Sequence, residues 1–202
     1  MAAKPSAGST RFDEAYFDRY YGDPSTRVQG AKEVAQVARA VTSLAAFWGL
    51  PLRSALDLGA GLGLWKRALA RAAPKLHYRG VDVSETACAR HGHEQHDIAT
   101  FREDTRFDLV ICQGVLQYLG DRDAARAIRN IGAMCGGLLY LEALTQKDVA
   151  EVVDHARTDT DVHLRPGAWY RKQLARDFVT LGCGLFYAKR GSGVFFELEA
   201  AP

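Results

Sequence analysis

A chain of 202 residues, 48% of them hydrophobic, can bury the core of one substantial domain without disulfides or metals. Its 26 lysines and arginines stand against 24 aspartates and glutamates, interspersed and not in blocks, which predicts no surface that tracks nucleic-acid phosphates. The four cysteines, Cys88, Cys112, Cys135 and Cys183, form no Cys-x-x-Cys pair and read as small, reduced core residues.

Met1 to Thr10 is rich in Ala, Ser and Gly and has no apolar h-region, so it reads as a frayed tail. Phe12 to Val28 carries Tyr16, Phe17, Tyr20 and Tyr21 and then Arg27. It reads as a lid helix, or as an N-terminal helix whose aromatics cover the core. From Gly30 to Trp48, Val34, Val37, Val41, Leu44, Ala45 and Trp48 recur at helical spacing, which predicts an amphipathic helix. The longest apolar stretch, Val41 to Leu52, is interrupted by polar residues and Pro51 and is too short to cross a bilayer. A cytoplasmic protein with no membrane partner follows.

Ala55 to Leu58 reads as a short buried strand, and Leu64 to Ala73 as a helix stopped before Pro74. The alternation repeats with strand Leu76 to Val83, helix Ser84 to His91, an extended piece near Gln95 to Ile98 and strand Phe107 to Gln113. Helix Asp121 to Met134 and strand Gly137 to Glu142 follow. Arg122, Arg126 and Arg129 share one face of that helix and read as solvated surface. A helix over Trp169 to Leu181 then precedes strands Gly184 to Lys189 and Val194 to Glu199, joined as a hairpin by Arg190-Gly-Ser-Gly193. The expected fold is α/β: a three-layer, doubly wound, seven-stranded and mostly parallel sheet that ends in an antiparallel hairpin. Residues 1–29 are expected to be tail and lid, and residues 30–202 one domain with an insert at about 145–169.

The chemistry concentrates at Asp57-Leu-Gly59-Ala60-Gly61-Leu-Gly63, which ends the first strand, and at Asp82, which ends the second. Alternate glycines let a ligand lie against the backbone, and the next helix offers free N–H groups. An acid about 20 residues on suits ribose hydroxyls. A dinucleotide fingerprint would need its third glycine at position 64, which is Leu64, and Asp57 would repel a pyrophosphate while attracting an ammonium.

At these residues the chain resembles class I S-adenosylmethionine-dependent methyltransferases, whose acid-x-G-x-G-x-G pattern is met by Asp57, Gly59, Gly61 and Gly63. The resemblance implies Asp82 and neighbouring Val83 at the ribose, Asp97 at the adenine amino group and Ile98 against the ring. Asp97 also fits a helix cap, and Ile98 a core position. Phe107 to Leu119 resembles the family's fourth strand and following loop, which puts Gln113 at the cofactor and Gln117 and Tyr118 where the family often has histidine. Gln113-Gly-Val-Leu116 does not resemble the signature of nucleobase amine methylation, and the small domain with its modest charge makes a small molecule the expected acceptor. No nucleic-acid partner is expected, and the protein is expected to be a monomer or homodimer.

The lid is expected to place Tyr16 and Arg27 on the cofactor, Arg27 at its carboxylate, and Tyr20 and Tyr21 on the acceptor. In the insert, Asp154, His155, Arg157, Asp159, Asp161, His163 and Arg165 crowd together. His163 or His155 is the expected base and Arg165 the holder of an anionic acceptor, with a solvated charged loop as the competing reading. No compact metal motif occurs there, and His91, His93 and His96 read as an exposed helix end near the rim. A non-catalytic protein that binds the cofactor, and an NAD-dependent oxidoreductase, are the rival functions.

Overall fold

The structure is a computed structural model that describes residues 11–23, 26, 27 and 29–201. Met1 to Thr10, expected as a tail, lie outside the described residues, as do Pro24, Ser25 and Val28. The chain forms helix α1 (Glu14–Phe17, continued as a π-helical turn, Asp18–Gly22), α2 (Ala31–Phe47), strand β1 (Ser54–Leu58), α3 (Leu64–Ala72), β2 (His77–Asp82), α4 (Glu85–His91) and β3 (Glu94–Gln95). It continues with β4 (Phe107–Gln113), α5 (Asp121–Met134), β5 (Cys135–Glu142), α6 (Gln146–Glu151), α7 (Gly167–Leu174), β6 (Phe178–Gly182) and β7 (Leu185–Ala188).

The sheet order is β3-β2-β1-β4-β5-β7-β6. The first five strands pair in parallel, and β7 runs antiparallel to both β5 and β6. This is the expected α/β fold. Period-two alternation divides each central strand between two cores. Leu56, Leu58, Val110 and Cys112 face the core covered by α5 and α7, whereas Ala55, Leu109 and Ile111 face the one covered by α2 and α3. Val34, Ala38, Val41 and Ala45 form the buried stripe of α2. Ser84 caps α4 by accepting from the Ala87 N–H at 3.2 Å, and Gly92, left-handed at φ +68°, ends it.

The terminal hairpin lies one strand upstream of its expected place. Helix α7 stops at Leu174, Phe178–Gly182 is a strand, and the turn is Cys183-Gly184, with φ of 51° and 76°. Two positive φ values in a two-residue loop make a type I′ turn, whose twist matches the flanking strands. Residues 194–199 form no strand. Gly191 and Gly193 pack against Tyr187, whose hydroxyl accepts from the Gly193 N–H at 2.7 Å, and Phe195 stacks edge-on against Tyr187 and Trp48. The Gly-Ser-Gly segment is therefore a close approach over an aromatic ring. Cys112 and Cys135 are buried as expected, but Cys183 is an exposed turn residue.

Among the described residues no helix is long and apolar enough to cross a membrane. The arginines of α5 lie outside the crevice described below; Arg126 and Arg129 line a separate hollow with Arg102, Arg176, Arg190 and Asp177.

Because a left-handed cysteine is strained where asparagine is tolerated, Cys183→Asn should stabilise the hairpin by about 1 kcal/mol in urea unfolding. A loss of stability would contradict the turn assignment.

Candidate functional site

The carboxyl ends of β1, β2, β4 and β5 open into one crevice, a cavity of about 660 Å³. Its floor is the turn after β1. Gly59, Gly61 and Gly63 all have positive φ (79°, 47° and 64°), a path closed to most side chains, and a Cβ on Gly59 would also strike Val115 at 2.3 Å. The Val81 carbonyl accepts from Gly59 and Ala60 N–H at 2.8 and 3.0 Å, which ties the turn to β2.

Asp82 completes that tie. One carboxylate oxygen accepts from the Gly61 N–H and the other from the Ser84 N–H, both at 2.8 Å, so this side chain joins the glycine turn to the start of α4. It is 6% exposed, and burial raises its pKa against the lowering effect of these backbone hydrogen bonds. Asp57, 2% exposed, accepts from the Tyr78 hydroxyl at 2.5 Å. Desolvation pushes its pKa up to about 7; the Tyr78 bond opposes this and the charge of Asp82 adds to it.

His93 was expected at an exposed helix end. It lies instead behind the turn, 8% exposed, with Nε2 3.2 Å from the Gly61 carbonyl oxygen, and burial lowers its pKa to about 4. Among the described residues no cluster of His, Cys, Asp or Glu could hold a metal ion. Asp97 and Ile98 line the crevice next to Asp82 and Val83, and Asp97 also caps locally by accepting from the Ala99 N–H at 2.8 Å.

At the other end, Gln113 and Glu142 are cross-strand partners at the tips of β4 and β5. Gln113 accepts from the Trp65 indole at 2.7 Å and donates to Gln29 at 2.6 Å and to Glu142 at 3.1 Å; the Tyr140 hydroxyl donates to Glu142 at 3.2 Å. Glu142, Trp65 and Gln29 were not foreseen as site residues, although strand-end placement in a doubly wound sheet marks Glu142 out.

Tyr16, Tyr20 and Tyr21, from α1 and its π-helical turn, line the cavity with Phe12 and Phe17. Asp13 caps α1, the Ser84 hydroxyl donates to the Phe12 carbonyl at 2.6 Å, and the Tyr16 and Tyr118 hydroxyls are 2.7 Å apart. Burial raises the Tyr16 and Tyr118 pKa values and pushes Tyr21 up to about 12, so all three stay protonated at neutral pH. Gln117 also lines the cavity. It is 7% exposed, and its Oε1 is buried with no hydrogen-bond partner.

The insert reaches the crevice with different residues from those expected. Arg157, Thr158 and Asp159 line it, whereas His155 and His163 are exposed and outside the lining. Arg165 is 3% exposed, and its guanidinium donates to the Leu116, Leu119 and His163 carbonyls, to the Tyr170 hydroxyl and, at 2.8 Å, to Asp121. It braces the β4–α5 loop with donors consumed by protein, which displaces the expected role on an acceptor. Arg27 packs beside Gly30 at the start of α2, outside the lining, and its carbonyl accepts from Arg157. Arg11 joins lid to insert through Asp159 at 3.0 Å and lies over the Tyr118 ring at 5.0 Å.

Residues 56–137, which include the glycine turn, both carboxylates and α5, match the sequence model of a family described as "Methyltransferase domain". This segment is similar to a methyltransferase domain. Solved structures agree on the fold, that of the class I enzymes. The magnesium protoporphyrin IX methyltransferase of Synechocystis, with bound SAH, matches at 21% identity and a TM-score of 0.61 over 90% of this chain and 97% of its own. A sugar N-methyltransferase from Streptoalloteichus matches at 19% and 0.65 over 83% and 91%. An O-methyltransferase family protein from Burkholderia thailandensis matches at 18% and 0.57 over 81% of this chain, which spans 59% of that protein. A comparison with curated proteins finds no match.

The raised pKa of Asp57 has a thermodynamic consequence for the ligand-free domain. A carboxyl titrating near 7 when folded and near 3.8 when unfolded contributes stability at low pH that is lost as pH rises towards 7. Asp57→Asn should therefore change unfolding free energy little at pH 4 and raise it by about 2 to 4 kcal/mol at pH 8. An equal effect at both pH values would show that Asp57 is not buried against its charge.

Proposed function

We propose that this domain binds S-adenosylmethionine in the 660 Å³ crevice and transfers its methyl group to a small-molecule acceptor. The observation that carries the reading is the pairing of Asp57 and Asp82 behind a left-handed glycine turn. Two buried carboxylates 25 residues apart in sequence flank a backbone cradle that side chains would fill, and the Asp57 carboxyl is raised until a cation comes near. Such a cradle suits a cofactor that presents an ammonium, a sulfonium and a ribose.

When bound, the cofactor supplies an electrophilic methyl group on a sulfonium. The backbone of Gly59, Ala60, Gly61 and Gly63 admits its amino-acid part, with the Asp57 charge behind. Asp82 spends two of its acceptor positions on Gly61 and Ser84 and keeps others for ribose hydroxyls. Val83 and Ile98 flank the base, Asp97 meets its amino group, and Gln113 and Tyr16 close the methionine end. In this reading Arg27 has no cofactor role, and Arg157 is the arginine beside the bound ligand.

The acceptor half lies under Tyr20, Tyr21, Gln117 and Tyr118. The whole crevice of about 660 Å³ must hold the cofactor as well, and the space this leaves supports a small acceptor. The neighbours named for a porphyrin and a sugar support the same choice. Positioning under an aromatic roof, with water excluded, is the catalytic contribution these residues offer.

Calorimetric titration with S-adenosylhomocysteine should show binding, and Asp82→Ala should weaken it by about 1 to 3 kcal/mol. The same variant should lose about 1 to 2 kcal/mol of folding stability, because two backbone donors lose their acceptor. Tight NAD binding with no response to S-adenosylhomocysteine would overturn the reading.

A further inference from the structure

The cavity is asymmetric in charge and in hydrogen-bonding capacity where the methionine end, with Gln113 and Glu142, meets the acceptor half. Glu142 is a carboxylate on the lining that is held by Gln113, Gln29 and the Tyr140 hydroxyl, all neutral donors. Among the described residues no cation forms a salt bridge with it. It stands on β5, two strands away from Asp57 on β1, a separation of about 10 Å at the usual strand spacing. A positive charge held at Asp57 therefore leaves Glu142 for a second one.

Two further atoms ask for a donor. Gln117 Oε1 and Thr158 Oγ1 sit on lining residues from different segments, and both are buried without a hydrogen-bond partner. An orphaned buried acceptor costs about 1 to 3 kcal/mol, so a ligand that supplies a donor recovers a real penalty. The described lining contains no histidine. Its tyrosines hold their protons, which makes them hydrogen-bond donors and poor bases and leaves carboxylates, Glu142 among them, as the bases of the lining. An alcohol brings no charge to match Glu142 and needs a base at the moment of attack, whereas an amine enters as a cation and, once its extra proton has gone to water, attacks without one.

We infer that the methyl acceptor is a small primary or secondary amine, drawn in as a cation by Glu142 and oriented through an N–H bond to Gln117 Oε1. This rests on the methyl-transfer reading above. The ammonium first gives one proton to water. The nitrogen lone pair then forms the bond to the methyl carbon as the carbon–sulfur bond breaks, and that electron pair returns to sulfur as the neutral thioether. The product leaves as the methylated ammonium, or loses a second proton to solvent.

Two measurements separate this inference from the reading beneath it. Protein saturated with S-adenosylhomocysteine is titrated with benzylamine and glucosamine and with their hydroxyl counterparts, benzyl alcohol and glucose; labelled S-adenosylmethionine is then supplied with each. Binding and labelling of an amine, with neither for its counterpart, is expected. Failure to bind S-adenosylhomocysteine at all overturns the methyl-transfer reading itself. With that binding intact, labelling of an alcohol, or of none of the four, overturns the amine assignment.

Gln117→Leu should raise KM for the labelled amine about tenfold with little change in kcat, leave S-adenosylhomocysteine affinity unchanged, and keep or raise Tm by removing the orphaned acceptor. A fall in Tm, or an unchanged KM, would mean that Gln117 is structural.

Discussion

The site depends on one carboxylate. Asp82 accepts from Gly61 on one side and Ser84 on the other, and so fixes two chain reversals, the left-handed turn after β1 and the entry to α4, in a single crevice. Three positive φ angles in five residues need external acceptors, which Asp82 and the Val81 carbonyl supply. Because both acceptors lie at the end of β2, the geometry of the cradle follows from the parallel pairing of β1 with β2.

The same loop of structure is closed from above by polar contacts between segments far apart in sequence. Ser84 holds the lid by the Phe12 carbonyl, Tyr16 meets Tyr118, and Arg11 reaches Asp159 in the insert. Arg165 fastens the insert in turn to the β4–α5 loop that carries Gln117 and Tyr118. An exposed ion pair contributes little by itself, but Arg165 is buried and serves several carbonyls, so its removal would free the whole roof.

The sheet and the floor of the crevice were legible in the sequence, because burial periodicity and the spacing of Asp57, Gly59, Gly61, Gly63 and Asp82 report short-range constraints. What escaped was set by contacts across the fold. Arg165 reads as a ligand until its guanidinium is seen to be used up by backbone carbonyls. His163 reads as a base until its segment places it in solvent and gives the lining to Arg157, Thr158 and Asp159. The hairpin was misplaced because Arg190-Gly-Ser-Gly193 has turn composition, whereas the true turn, Cys183-Gly184, puts a cysteine where φ is positive. His93 reads as exposed because nothing local says that Gly80 leaves room for its ring beside the Gly61 carbonyl.

The most direct measurement is a crystal structure of the protein with S-adenosylhomocysteine. The account predicts ribose hydroxyls within hydrogen-bonding distance of Asp82, the base between Val83 and Ile98, the amino group on the Asp57 side of the glycine turn, and the sulfur facing the space beneath Tyr21 and Gln117. A nucleoside bound elsewhere, or in this crevice with its ribose away from Asp82, would contradict it.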